Sequence, residues 1–347
     1  MVEFWIDLIV SFLPWPATIV YLNYYRSMDF KQNEYTRPEE KGKSFLWRFY
    51  KYQKERFPIL GHGLLVASFS FSAIAFSRIC RGAEGFVPWS TYGLGIFITI
   101  SFFLLVRIFD EFKDADDDAK YRKELPVPRG LVSLRELMIL GIILVIAQLT
   151  IILVFFPKLL FIWLVVFAYL CLMGKEFFVP EWLKKHQFWY ITSHMFIIPL
   201  IDILASGLDW ALENETPSPG LGWFFLVSYL NGIVLEVGRK IRTPGNEREG
   251  VLTYSSMLGL KKALYLWLLV LSLTLVSSLL AVYFAGYGTM AYFIFGGIFL
   301  LCTIPAWLSL TKITGKRAKM MEYTSALWTI LMYLSLGAIP MIQHLLP

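Results

Sequence analysis

The sequence predicts an all-α, polytopic membrane helical bundle of about nine transmembrane helices. Three observations carry that prediction. Hydrophobic residues make up 57% of the 347 and charged residues only 17%. Mean hydropathy is +0.58, above what a domain with a solvated surface carries. Apolar runs near the roughly 20 residues that cross a bilayer recur at 58–79, 91–109, 134–156, 159–174, 188–206, 221–238, 263–285, 290–311 and 324–345. Lipid is the solvent for most of the chain.

Ahead of the first run lies an N-terminal interfacial or cytoplasmic segment, residues 1–57, with the transmembrane domain taken as 58–347. Within that segment the Trp/Leu/Ile-rich stretch from Trp5 to Tyr25 is broken by Pro14 and Pro16, and reads as an interfacial helix or a tenth, broken span. A polar, basic stretch follows, from Lys31 to Arg56. The start, Met1-Val2-Glu3, has no basic n-region and no A-x-A site, so no removable signal peptide is expected.

Connections after even-numbered spans (110–132, 174–186, 239–262, 312–320) hold 18 Lys and Arg; those after odd-numbered spans (79–90, 157–158, 207–220, 286–289) hold 2. By the positive-inside rule the basic loops are expected on the cytoplasmic side and the carboxyl terminus on the far side. Net charge is +6. That excess sits in loops beside anionic lipid, so no nucleic-acid partner is read from it. Cys80, Cys171 and Cys302 lie far apart without ligand spacing, which suggests neither disulfide nor zinc. The pairs Gly61/Gly63, Gly93/Gly95 and Gly296/Gly297 are expected to let helices approach closely.

The second span runs into Arg107-Ile-Phe-Asp110-Glu111-Phe-Lys-Asp114-Ala-Asp116-Asp117-Asp118, six carboxylates in nine residues at a membrane boundary. If the helix continues, Glu111, Asp114 and Asp118 share one face, with Asp110 beside them. An acidic run in an average protein is a solvated loop with no task. Here it abuts a span, keeps helical spacing, and is followed at once by Lys120, Arg122, Lys123 and the turn Pro126-Val127-Pro128-Arg129-Gly130. Oxygen ligands of this kind suit Mg²⁺, which uses one or two carboxylates plus substrate phosphates. With bases for phosphate nearby, the pattern fits ionisation of a diphosphate ester.

The sixth span ends in Asn231-Gly-Ile-Val-Leu-Glu236-Val-Gly-Arg239-Lys240-Ile-Arg242, then Thr-Pro-Gly-Asn246-Glu247-Arg-Glu249-Gly250-Val-Leu-Thr253. A basic anchor explains Arg239 and Lys240. It does not explain Glu236 inside the apolar end of the span. In the fifth span His194 and Asp202, eight residues apart, fall on roughly one face; they fit an acceptor-side base or a pairing between helices.

Taken together these segments resemble the UbiA superfamily of intramembrane prenyltransferases. Asp110-Glu111-x-x-Asp114-x-x-x-Asp118 is similar to the family's N-D-x-x-D-x-x-x-D, and Pro126-Val127-Pro128-Arg129-Gly130 to its R-P-x-P-x-G. Glu236 to Lys240, Glu249-Gly250-Val-Leu-Thr253 and Leu258-Gly259 resemble its second motif. Arg56-Phe-Pro58-Ile-Leu-Gly61 is similar to its lead into the first helix, and Tyr169 with Lys175 to a Tyr/Lys pair near substrate. The likeness covers residues 55–345. Asp110 and Glu111 replace Asn and Asp, Leu125 stands where the family has Arg, and the second motif lacks its aspartate pair.

The resemblance implies a Mg²⁺-dependent enzyme that moves an isoprenyl group from an allylic prenyl diphosphate donor to a lipophilic, aromatic acceptor. It implies Asp110, Glu111, Asp114, Asp118 and Glu236 as catalytic carboxylates, with Glu247 and Glu249 as further metal ligands. The diphosphate falls to Arg122, Lys123, Arg129, Lys175, Arg239 and Lys240. The same scaffold without an acceptor is a terpene cyclase. A metal-cation transporter is the reading from another class; it expects charges paired along the midplane, whereas here they crowd one boundary.

Overall fold

A computed structural model describes residues 35–247 and 250–343. The stretch Trp5–Tyr25 lies outside the described residues, as does Glu249. Among the described residues there are nine helical segments long and apolar enough to cross a membrane. The chain forms two units, one of residues 35–58 with Arg107–Ile146, the other of Ile59–Val106 with residues 147–343.

In chain order the elements are α1 (Phe45–Arg56), α2 (Ile59–Cys80), α3 (Trp89–Lys113), α4 (Ala115–Tyr121) and α5 (Leu134–Phe155). There follow α6 (Leu160–Gly174), α7 (Pro180–Lys185), α8 (Gln187–Met195), α9 (Ile197–Gly207) and α10 (Pro219–Arg239). The last are α11 (Tyr254–Leu258), α12 (Leu260–Phe284), α13 (Thr289–Thr311), α14 (Gly315–Tyr333), a π turn at Leu334–Ala338, and α15 (Ile339–Gln343).

Two spans depart from the hydropathy reading for local reasons. The fifth is broken at Phe196 into α8 and α9; Pro199 has no N–H to bond the carbonyl four residues back, and the helix restarts. The ninth begins at Gly315 rather than 324, because the Thr314 hydroxyl accepts from the Arg317 N–H and caps a polar first stretch. A hydropathy window sees only the apolar part of such a helix.

In the larger unit α10 is the central element, packed on α2, α9, α12 and α14. Some of the unit's polar groups pair across helices. Gln148 donates to Ser101 at 2.8 Å and accepts from the Trp163 indole at 2.8 Å, joining α5, α3 and α6 inside the apolar region. The glycine expectation holds at one of six positions. Gly95 meets Leu208, but Gly61, Gly93, Gly296 and Gly297 have nothing within 4 Å and Gly63 meets only its own helix. The tightest approach to another helix's backbone is at Gly337, unremarked in the sequence, where an added Cβ would lie 2.5 Å from the Ser72 Cα and carbonyl oxygen. Gly337→Ala should therefore force α2 and the π turn apart and cost about 1–3 kcal/mol, lowering the thermal midpoint in detergent. Gly296→Ala is the control, expected to leave the midpoint unchanged or raise it; equal midpoints for both variants would contradict the contact.

Candidate active site

The first acidic cluster belongs to the smaller unit. At Asp114 the helix bends between α3 and α4, yet the helical bonds from the Asp114 N–H to Asp110 (2.9 Å) and from the Asp118 N–H to Asp114 (2.8 Å) persist. Glu111 and Asp118 stay on one inward face, each about 1% exposed. Asp114 is half-buried, Asp110 is partly exposed, and Asp116 and Asp117 face outward.

Burying carboxylates without counter-charge costs several kcal/mol each. The counter-charge comes from α1. Arg56 Nε donates to Glu111 at 2.6 Å and its Nη2 lies 3.7 Å from Asp118. Arg107, one turn back on α3, donates to Glu111 at 3.2 Å, and the Tyr52 hydroxyl donates to it at 3.3 Å. Burial, then the Glu111 charge, pushes the Tyr52 phenol up and keeps it a donor. Arg122 pairs with Asp118. Even so, neither Asp118 oxygen receives a directed hydrogen bond, and burial pushes its carboxyl up to about 6 against the pull of Arg122. Asp114 moves the same way, again through burial.

Arg129 has a different surrounding. All five of its N–H groups are engaged: Nε and Nη2 fork onto Glu40 at 3.1 and 2.9 Å, Nη1 and Nη2 onto Glu55 at 2.8 and 2.9 Å, and Nη1 also meets the Glu124 carbonyl at 2.7 Å. Its own carbonyl accepts from Thr36 at 2.7 Å. Gly130 takes φ +77, which L side chains rarely adopt, and lets the N–H groups of 130 and 131 fold back on Val127 and Pro126. The Pro-Val-Pro-Arg-Gly turn is thus a fixed piece. Lys123 is exposed beside it.

The second cluster lies in the larger unit. Glu236 is nearly buried and neutralised from its own chain, by Arg239 at 2.6 Å and Lys240 at 2.7 Å. Glu247 accepts from Thr253 and Ser255 and so anchors the start of α11. Burial and the Glu236 charge push the Tyr254 phenol up. Lys175 follows α6 directly, and Tyr169 donates to the Ser193 carbonyl at 2.7 Å. His194 and Asp202 are not brought together. His194 Nε2 sits 3.3 Å from Glu176, and Asp202 accepts from Ser228 on α10.

Sequence reasoning left out Arg56, Tyr52, Glu40 and Glu55 as site residues. Tyr52 and Arg56 are one helical turn apart, a signal that marks a shared face without naming what it faces.

Among the described residues no three His, Cys, Asp or Glu side chains converge as a metal cage. Asp118, with two buried oxygens lacking directed donors, and Asp114 beside it are the carboxylates that could serve an ion such as Mg²⁺, which needs only one or two from the protein with the rest from substrate phosphate and water. The residues present fit the ion in that sense.

Comparison with solved structures places the fold. The chain is similar to the apo structure of a UbiA homologue from Aeropyrum pernix K1, at TM-score 0.62 and 14% identity over 82% of this chain and 98% of that one. It is also similar to a digeranylgeranylglyceryl phosphate synthase studied in membranes, at TM-score 0.56 and 18% identity over 85% and 99%. No curated protein sequence matches it. Residues 68–339 match the UbiA prenyltransferase family, and the chain belongs to that family. It is a multi-pass membrane protein of the prenyl-transferring type.

A carboxyl whose pKa is raised by folding binds its proton more tightly in the folded chain, so its ionisation weakens stability as pH rises from its ordinary 3.8 through about 6. Asp118→Asn removes that titration. The difference in thermal midpoint between variant and wild type should move in the variant's favour between about pH 4 and pH 7. A difference that stays flat would contradict the raised Asp118 pKa.

Proposed function

We propose that this protein transfers an isoprenyl group from an allylic prenyl diphosphate to a lipophilic, aromatic acceptor within the membrane, with the diphosphate bound at the first acidic cluster on the cytoplasmic side. The observation that carries this reading is Asp118: a buried carboxylate at a membrane boundary, short of hydrogen-bond donors, beside Asp114 and paired with Arg56 and Arg122. The basic loops around it support the cytoplasmic orientation.

Asp114 and Asp118 would hold Mg²⁺, which, when bound, offsets charge growing on the leaving diphosphate. Arg122 and the exposed Lys123 lie next in sequence and supply cations for the same oxygens. Arg129, with every donor engaged, holds the turn rather than the substrate. Glu111 acts by fixing Arg56 and Arg107. The allylic C–O bond breaks with its electron pair going to diphosphate; the cation then bonds to the acceptor, which loses a proton. On the same scaffold, attack by the chain's own double bonds gives a cyclic product instead. The neutralised Glu236 and the missing aspartate pair keep that second reading in view.

The test is incubation of detergent-purified protein with Mg²⁺ and allylic diphosphates of several lengths, first alone and then with a membrane-lipid extract. Wild type should release diphosphate, and Asp114→Ala/Asp118→Ala should lose at least about 100-fold of that rate. A product that needs the extract supports transfer; a cyclic hydrocarbon or terpenol formed without it supports cyclisation. No release from any donor by folded protein would overturn both.

A further inference from the structure

Helix α1 carries two unlike faces. Arg48, Tyr52, Glu55 and Arg56 point inward, to Glu136 at 2.9 Å, to Glu111 at 3.3 Å, to Arg129 at 2.8 Å and to Glu111 at 2.6 Å. Phe45, Phe49 and Tyr52 stack along the same side with centroids 5.9 Å apart. The opposite stripe is built from Leu46, Trp47, Tyr50, Lys51 and Lys54, with Lys43 just before the helix. There Leu46 is 78% exposed and Tyr50 50% exposed. Lys43 and Lys51 lie over the Trp47 ring at 5.8 and 5.2 Å, and Lys54 over the Tyr50 ring at 4.5 Å.

A stripe of apolar and aromatic side chains flanked by lysines is what an interfacial helix presents to lipid headgroups. In sequence α1 ends at Arg56 and the first span begins at Ile59, three residues on, at most about 10 Å of extended chain. The outer face has cations and no carboxylate, which suits an anionic surface such as the cytoplasmic leaflet. The helix precedes the stretch matched by the family, which begins at residue 68.

We infer that the outer face of α1 docks on anionic phospholipid and that this docking holds Arg56 in the first acidic cluster, making activity depend on membrane surface charge. Leu46 and the Trp47 and Tyr50 rings enter the headgroup layer, and Lys43, Lys51 and Lys54 meet lipid phosphates. Because Tyr52, Glu55 and Arg56 ride on the same rigid helix, tilting α1 off the surface draws them away from Glu111, Asp118 and Arg129. The catalytic half of this inference rests on the proposed diphosphate reaction; the docking half does not.

The experiment uses the full chain in nanodiscs of phosphatidylcholine, with or without phosphatidylglycerol. A nitroxide is carried at Leu46→Cys, with Cys80, Cys171 and Cys302 replaced by serine, and Mg²⁺-dependent diphosphate release is read in parallel. Phosphatidylglycerol should shield the label from an aqueous relaxation agent and raise release several-fold, and high salt should reverse both. Lys43→Gln/Lys51→Gln/Lys54→Gln should bind and turn over as wild type does in phosphatidylcholine alone, whatever the lipid. A label equally exposed in both lipids, or a triple variant that responds as wild type does, overturns docking. Shielding that depends on phosphatidylglycerol while release does not overturns the coupling. Shielding with no release in either lipid upholds docking and removes only the diphosphate reading.

Discussion

The smaller unit depends on one ion pair, Arg56 with Glu111. Glu111 lies at the end of a membrane-spanning helix and is about 1% exposed. A carboxylate there is stable only with a cation brought to it. Arg107 on its own helix supplies part of the charge, and α1 supplies the rest through Arg56 with Tyr52 as a further donor. The same arginine reaches toward Asp118. Removing it would leave Glu111 to Arg107 and Tyr52 and Asp118 to Arg122, with no cation shared between them.

Around that pair charge-assisted bonds tie the unit together beside buried apolar side chains such as Val127, Leu131 and Leu137. Glu40 and Glu55 hold Arg129, and Arg48 holds Glu136, which also closes a capping box with Ser133 at the start of α5. Residues 36–56 are thereby tied to the turn at 126–131 by at least four side chains. Rigid surroundings leave Asp114 and Asp118 as the cluster's carboxylates lacking full compensation, which burial registers as raised pKa values. The proposed diphosphate chemistry, which needs a divalent cation, would draw on that deficit.

The spanning helices were legible in the sequence because a bilayer imposes length and hydropathy locally; eight of the predicted runs differ from the observed helices by at most four residues at either end. The acidic cluster was legible for the same local reason, helical spacing within nine residues. What pairs with what was not. Arg56 and Glu111 are 55 residues apart and Arg129 and Glu40 are 89 apart, and a basic stretch ahead of a span reads as an anchor whether or not it folds back. Arg129 looked like any arginine beside a phosphate turn until both carboxylates were seen on it. His194 and Asp202 shared a face on an unbroken helix, but Pro199 breaks it. Glycine contacts depend on which helices meet, and periodicity does not carry that.

The central claim is that Arg56 neutralises the buried acidic cluster, and a double-mutant cycle measures it most directly. Unfolding free energies of wild type, Arg56→Met, Glu111→Gln and the double variant would be compared in mixed micelles. The account predicts that each single change costs about 3–5 kcal/mol, that the double costs well below their sum, and that the coupling is at least about 2 kcal/mol. A coupling near zero would mean that the two side chains do not stabilise one another, and would contradict the account.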